Sequence, residues 1–238
     1  MSTISNHLQD ILATIQSAKI HAARQQSVSL LAVSKAQPAQ VIRDAYVAGQ
    51  TMFGENYLQE ALDKQSELTD LGIEWHFIGP IQSNKTQPIA QNFSWVHSVD
   101  RLKIAQRLND ARPADLTPLQ VCIQLNVGDE ASKGGVAASE LEALATAITA
   151  LPRLKLRGLM AIPPPTKDDN QQRAQFKQVR ECYDALLSKG FDLDTLSIGM
   201  SDDYPIAIEQ GATIVRIGSA LFGARKQHKI EQDNKNED

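Results

Sequence analysis

The sequence predicts an α/β protein folded as a single (β/α)8 barrel, with one extra helix before the first strand. Eight β-prone runs alternate with seven helical segments along the chain. The length of 238 residues is close to the ~250 residues typical of such barrels, so we expect no second substantial domain. An open doubly wound sheet is compatible with the same alternation, but the count of eight favours the closed barrel.

The first half of the chain supplies four of the strands. Apolar residues at helical spacing between residues 8 and 15 predict the opening helix. The β-prone runs are residues 27–35, 51–54, 75–79 and 94–98. Helices are predicted from Pro38 to Gly49, over 57–68, up to residue 90, and over 101–109.

The second half repeats the pattern, with strands at 120–126, 154–160, 195–200 and 213–217. The helix after the fifth strand begins with a predicted capping box, Ser139 to Glu142. The next helix ends before Gly190, and the last intervening helix covers 202–210. We assign residues 1–224 to the barrel and predict a disordered polar tail over 225–238.

Composition excludes several classes of function. A net charge of −4 and a pI near 5.8 give no electrostatic footprint for nucleic acid. The longest apolar runs have the length of strands, so no membrane span is predicted. Cys122 and Cys182 are expected to be buried free thiols in a reducing cytosol. No histidine or cysteine spacing predicts a metal site.

Lys35 is the unusual residue among the strand ends, where barrel enzymes carry their functional groups. It continues an apolar run with the same side-chain parity as Leu31 and Val33, which predicts an inward position. Desolvation lowers the pKa of a lysine and makes its amine a nucleophile toward carbonyls. Lys35 is therefore a candidate Schiff-base lysine, the alternative being a strand-end lysine whose ammonium reaches solvent.

The ends of strands seven and eight predict a phosphate site, which such barrels commonly place there. Gly218 and Ser219 follow strand eight, and Ser201 follows strand seven, where it is equally explained as a helix N-cap. Arg216 shares the parity of Ile214 and should point inward. It is interpreted as a donor to a bound ring or phosphate, or as the partner of an internal acid.

Three other features remain open or are dismissed. Asn56 is either a helix N-cap or a ligand contact. His76 and His97 lie within strands and are expected to be hydrogen-bonded core residues. Residues 79–86 imitate a phosphate-binding P-loop, but Asn84 replaces its second glycine, so nucleotide hydrolysis is not predicted.

Six segments together resemble one family. They are 32–35 (AVSK), 53–57 (FGENY), 76–85 (HFIGPIQSNK), 158–160 (GLM), 199–203 (GMSDD) and 216–219 (RIGS). With these motifs the chain resembles the pyridoxal phosphate homeostasis proteins, also called the YggS or PROSC family, from about residue 30 to residue 223. That family is similar to the N-terminal barrel of alanine racemase, a fold-type III vitamin B6 fold.

The resemblance implies pyridoxal 5′-phosphate (PLP) as cofactor, held by Lys35 as a Schiff base. It implies that Arg216 faces the ring nitrogen and that Asn56 lies beside the cofactor. The implied phosphate contacts are Met200, Ser201, Gly218 and Ser219. Many relatives have threonine where Ser219 stands, and the hydroxyl donor is retained. No catalytic residue is implied.

The implied function is to hold PLP in intracellular vitamin B6 and amino-acid homeostasis, with no established catalysis. An arginine at the ring nitrogen stays protonated and leaves the ring neutral, which makes PLP a weak electron sink. PLP-requiring apo-enzymes are candidate recipients, and the chain is expected to be a cytoplasmic monomer. The roles of Lys133 and the tail lysines stay open.

Two other functions are compatible with the residues. A racemase-like PLP enzyme would need a second acid–base group, for which His76 is the first candidate. A barrel enzyme acting on a phosphorylated metabolite would use the same phosphate loops without PLP.

Overall fold

Eight parallel strands close into one barrel in the order β1 to β8, and β8 pairs with β1. This topology confirms the (β/α)8 prediction and excludes the open sheet. The computed structural model describes residues 3–23, 25–128 and 134–223. Lys133 and the predicted tail at 225–238 lie outside these residues.

The strands fall where the β-prone runs predicted them, with shorter bounds in several cases. They are β1 Ser29–Val33, β2 Met52–Glu55, β3 Glu74–Phe77, β4 Trp95–Val99, β5 Leu119–Leu125, β6 Leu154–Ala161, β7 Thr195–Ser197 and β8 Ile214–Ile217. The largest differences are at β1, which has five residues instead of nine, and at β7, which has three instead of six. Gly199, with φ of +91°, turns the chain soon after this strand. A side chain there would collide with Ala207, because a Cβ atom would lie 2.6 Å from the Ala207 Cβ.

All seven predicted intervening helices are present, along with the opening helix. The described helices are α1 Thr3–His21, α2 Ala39–Val47, α3 Leu58–Glu67, α4 Thr86–Asn92, α5 Leu102–Ala111, α6 Leu141–Thr149, α7 Asp169–Ser188, α8 Tyr204–Glu209 and α9 Ser219–Phe222. The four-residue α9 was not predicted. None of the helices in the described part of the chain combines the length and hydropathy needed to cross a lipid bilayer.

The helix ends correct one prediction and confirm another. The capping box is wrong, because Ser139 lies in a 3-10 turn, Ala138–Glu140, and α6 begins after Glu140 without a side-chain cap. Gly190 follows the C-cap of α7 with φ of +89°, as predicted for a C′ glycine. The cap of α7 is Asp168, whose carboxylate accepts from the amides of residues 170 and 171.

The hydrophobic core has three clusters. The largest lies between the sheet and the helices, where Ala32, Phe53 and Val215 pack with helix residues such as Ile42. The second fills the barrel interior on one side, with Leu31, Ile78 and Ile214. The third consists of Trp95, Cys122 and Met160, and polar side chains described below lie beside it.

Both cysteines are free, with Cys122 fully buried and Cys182 half-buried. Burial raises the pKa of the Cys122 thiol to about 12, so that it stays neutral at physiological pH.

Candidate functional site

A cavity of about 250 Å³ opens at the C-terminal end of the barrel. Its walls come from the C-terminal ends of β1 and β8 and from residues that follow β1, β2, β3, β6, β7 and β8. All seven residues that the sequence singled out as cofactor-binding line it: Lys35, Asn56, Met200, Ser201, Arg216, Gly218 and Ser219. Residues separated by up to 184 positions in the chain therefore meet in one place.

Lys35 reaches the cavity because β1 alternates in the predicted way. Leu31 packs inside the barrel, Val33 packs against it, and Val33 and Lys35 both line the cavity. The half-buried side chain of Lys35 thus lies on a cavity wall instead of extending over the outer surface.

Hydrogen bonds with β2 and α3 hold Ser34, which precedes Lys35, and a hydrogen bond to α3 holds Ala36, which follows it. The Ser34 hydroxyl donates to Glu55 Oε1 over 2.6 Å, and Lys64 Nζ donates to the Ser34 carbonyl over 2.7 Å. On the other side, the amide of Ala36 donates to Glu60 Oε1 over 2.5 Å. Ala36 has φ of +60°, a conformation unfavourable for a residue with a Cβ atom, so these contacts fix a strained turn.

Ser34, Glu55, Glu60 and Lys64 form a group that we call the Lys64 cluster. Lys64 is 5% exposed, Glu55 is fully buried, and their charged atoms are 2.8 Å apart. A second ion pair joins Lys64 to Glu60 over 2.5 Å. Burial raises the pKa of Glu55, and the Lys64 ammonium opposes that rise.

Sequence reasoning missed the Lys64 cluster, although a signal was present. Lys64 lies three residues after Ala61 and four before Leu68, both of which are buried, so it continues the apolar face of α3. A lysine on such a face requires a buried acid.

Asn56 is not a helix N-cap, since that position in α3 belongs to Tyr57. Its Oδ1 atom is buried and has no hydrogen-bond partner among the described residues. The chain after β3 approaches closely here, and a Cβ atom on Gly79 would lie 2.1 Å from the Asn56 carbonyl oxygen. Asn56 therefore offers a buried acceptor in the cavity wall.

The loops after β7 and β8 meet on the opposite side of the cavity. Ser201 does not cap α8, which begins after Asp203. Its hydroxyl instead accepts a long hydrogen bond of 3.4 Å from the Ala220 amide. Gly218 passes close to β1, where a Cβ atom would lie 3.1 Å from the Val33 carbonyl. Small residues thus keep backbone and hydroxyl donors open to a ligand.

Arg216 is 4% exposed and points inward, as its parity predicted. Its acceptors are not carboxylates. Nη1 donates to the carbonyl of Ser197 and, over 3.0 Å, to its hydroxyl, while Nη2 donates to the Ala161 carbonyl over 2.8 Å. Burial lowers the pKa of Arg216 to about 10, so the guanidinium stays charged at neutral pH.

His76 and His97 continue this polar side of the barrel below Arg216. His97 Nδ1 lies 2.8 Å from the Ser197 hydroxyl, and His97 Nε2 lies 2.9 Å from His76 Nδ1. Both rings are fully buried and neither lines the cavity. They are hydrogen-bonded core residues, as expected, and His76 is not placed to act as a base on a ligand.

The buried histidines predict a loss of stability in acid. Burial lowers the pKa of both, that of His97 well below 6.5. A histidine with a lowered folded pKa contributes stability above its unfolded pKa and loses that contribution as pH falls toward the folded value. We expect the free energy of unfolding to decrease below pH ~6.5, by at most about 1.4 kcal/mol per pH unit for each histidine.

Urea unfolding between pH 5 and 8 measures this effect. His97→Gln should make the free energy of unfolding depend less on pH, because no charge at position 97 then has to be buried in acid. A wild-type stability that is constant over the range would contradict the assignment.

The chain is similar to known proteins over nearly its whole length. Residues 7–226 match the family model of the alanine racemase N-terminal domain. The chain is 60% identical over 226 residues to the pyridoxal phosphate homeostasis protein of Pseudomonas aeruginosa, covering 94% of this chain and 97% of that protein.

Two solved structures place the fold. PipY of Synechococcus elongatus, solved with PLP bound, superposes with a TM-score of 0.82 at 37% identity, covering 93% of this chain and 100% of that one. Alanine racemase of Corynebacterium glutamicum shares the fold, with a TM-score of 0.69 at 19% identity, over 91% of this chain and 62% of that one.

Proposed function

Because this chain belongs to the family of pyridoxal phosphate homeostasis proteins, we propose that it binds PLP in the cavity at the C-terminal end of its barrel. The observation that carries the proposal is the convergence of Lys35, Arg216 and the two glycine- and serine-containing loops on that cavity. An amine, a fixed cation and a set of small-residue donors suit an aldehyde, a ring nitrogen and a phosphate, respectively.

The residues present fit this cofactor. The cavity volume of about 250 Å³ suits a small ligand with one ring. The buried Asn56 Oδ1 atom, which has no partner among the described residues, would gain one from a polar ring substituent. A side chain larger than that of Gly218 would meet the β1 backbone.

Lys35 would hold PLP by a reversible condensation. The Lys35 amine would supply the nucleophile for the PLP aldehyde, with release of one water. The Lys64 cluster fixes the turn that carries Lys35. Met200, Ser201, Gly218 and Ser219 would bind the phosphate through backbone and hydroxyl donors.

The groups around the cavity favour storage of PLP over PLP-dependent catalysis. Arg216 donates to its partners in charged form and would leave a ring nitrogen unprotonated, which weakens PLP as an electron sink. Besides Arg216, the described lining residues include two with ionisable side chains, Lys35 and Asp202. We therefore propose a PLP reservoir in vitamin B6 and amino-acid homeostasis within the cell.

Absorbance titration of the purified chain with PLP and with pyridoxal, which lacks the phosphate, tests this function. We expect PLP to bind at least about 100-fold more tightly, which corresponds to ~2.7 kcal/mol from the phosphate loops. Ser219→Ala should weaken PLP binding and leave pyridoxal binding unchanged. Equal affinities for the two aldehydes, or failure to bind either, would contradict the proposal. Incubation of the PLP-loaded protein with L-amino acids in deuterated water should show no enzyme-like exchange of the α-proton.

A further inference from the structure

A continuous hydrogen-bonded chain crosses the barrel interior from its N-terminal face to Arg216. Glu74 begins β3 on that face, and its side chain is 44% exposed. Four contacts follow in series: Glu74 Oε1 to His76 Nε2 at 2.8 Å, His76 Nδ1 to His97 Nε2 at 2.9 Å, His97 Nδ1 to Ser197 Oγ at 2.8 Å, and Ser197 Oγ to Arg216 Nη1 at 3.0 Å.

The chemistry of the Glu74 end fixes the direction of every hydrogen-bond donor between Glu74 and Ser197. Arg216 can only donate, and ionised Glu74 can only accept. A neutral imidazole has one donor nitrogen and one acceptor nitrogen. His76 must therefore carry its proton on Nε2 to serve Glu74, and its Nδ1 must accept from Nε2 of His97. The Ser197 hydroxyl then donates to His97 Nδ1 while it accepts from Arg216.

The groups around Glu74 keep its carboxyl group ionised, so that it accepts hydrogen bonds and does not donate them. The hydrogen bond from His76 lowers the pKa of Glu74, and the Arg157 guanidinium acts in the same direction. Arg157 is itself ion-paired with Asp194 and lies over the Trp95 ring, on which His76 stacks. His76 and His97 stay neutral because they are buried.

We propose that Glu74 is a positioning residue for the cofactor site, acting from the opposite face of the barrel by setting the donor direction of this chain. The inference rests on the proposed function, because it needs Arg216 to face the cofactor. If a hydrogen-bond donor replaces the Glu74 carboxylate, His76 and His97 must each carry the proton on Nδ1. Ser197 then receives hydrogen bonds from both Arg216 and His97, and its hydroxyl proton must leave the chain.

The reversal should change how Arg216 binds without displacing it. The carbonyls of Ser197 and Ala161 accept from Arg216 independently of the chain. What changes is the Ser197 oxygen, which is a stronger acceptor when its own proton is donated to His97 and a weaker one when His97 donates to it. The effect is therefore expected in cofactor affinity more than in folding.

Glu74→Lys tests the proposal, because an ammonium has three donors and no acceptor. Asp192→Lys is the matched control. Asp192 precedes β7 on the same face, is 89% exposed and pairs with Lys155. Its replacement by lysine makes the same change in charge but leaves the hydrogen bonds between Glu74 and Arg216 in place. Glu74→Gln keeps a carbonyl acceptor for His76 Nε2, so we expect the hydrogen bonds to run in the wild-type direction.

Long-range ¹H–¹⁵N spectra of histidine-labelled protein without PLP give the tautomers directly, with His76→Gln and His97→Gln used for assignment. We expect Nε2–H tautomers for both rings at pH 7 in the wild type, Asp192→Lys and Glu74→Gln, and Nδ1–H tautomers in Glu74→Lys. Any other wild-type tautomer, or the absence of a change in Glu74→Lys, overturns the proposal.

Titration with PLP supplies the second readout. We expect Glu74→Lys to weaken binding about tenfold, as at the lower end of the effect of removing a group that orients a metal ligand, and Asp192→Lys to bind as the wild type does. Equal affinities in these two variants overturn the positioning role. A wild type that does not bind PLP overturns the proposed function instead, whatever the tautomers are.

Discussion

Lys35→Ala should abolish the covalent attachment of PLP and leave weak non-covalent binding. The visible absorption of the Schiff base and the product of borohydride reduction should both be lost, since they need an amine at this point of the cavity. The phosphate loops and Arg216 remain, and we expect the affinity to fall by about 100-fold or more, equivalent to at least ~2.7 kcal/mol. Absorbance spectra and equilibrium dialysis measure the two effects separately.

The control for Lys35→Ala is Lys85→Ala, which removes an exposed lysine from the loop after β3. Lys85 does not line the cavity, and its loss should change neither the spectrum nor the affinity. A reducible adduct that persists in Lys35→Ala and maps to the same cavity would contradict the assignment.

Lys64→Met should lower stability and cofactor attachment together. The substitution leaves Glu55 buried without its ammonium partner, and breaking such a pair costs about 3–5 kcal/mol. It also releases the Ser34 carbonyl and loosens Glu60, which holds the Ala36 amide. We therefore expect a large drop in the free energy of unfolding and slower, weaker reaction of Lys35 with PLP.

A variant at a second buried cation, Arg112, separates the loss of stability from the loss of cofactor attachment. Arg112 is 4% exposed and donates to the carbonyls of Ala90, Phe93 and Thr117, away from the cavity. Arg112→Met should destabilise the fold while the folded protein binds PLP normally. Glu60→Gln, at a half-exposed position, should weaken PLP binding with little loss of stability. Normal PLP binding by both Lys64→Met and Glu60→Gln would limit the Lys64 cluster to folding.

The alternation of elements was sufficient to predict the fold, because closure of eight parallel strands leaves little choice of topology. Parity along β1 and β8 also predicted that Lys35 and Arg216 point inward, whereas Met200 was implied by the resemblance alone. Element ends were less accurate. Ser139 has the composition of an N-cap, yet the chain enters α6 through a 3-10 turn.

The partners of the supporting groups could not be identified from local pattern, because they lie on elements that are distant in sequence. His97 and Ser197 are hydrogen-bonded across 100 positions of sequence. Lys64 reaches Ser34 across 30 positions. The N-cap alternative for Ser201 and for Asn56 is excluded by where α8 and α3 begin.

The most direct test of the central claim is peptide mapping of the wild-type protein after it is loaded with PLP and reduced with borohydride. We expect one modified peptide, with the pyridoxyl group on Lys35. A modification on another lysine, or no modification of a protein that takes up PLP, would contradict the account of this cavity.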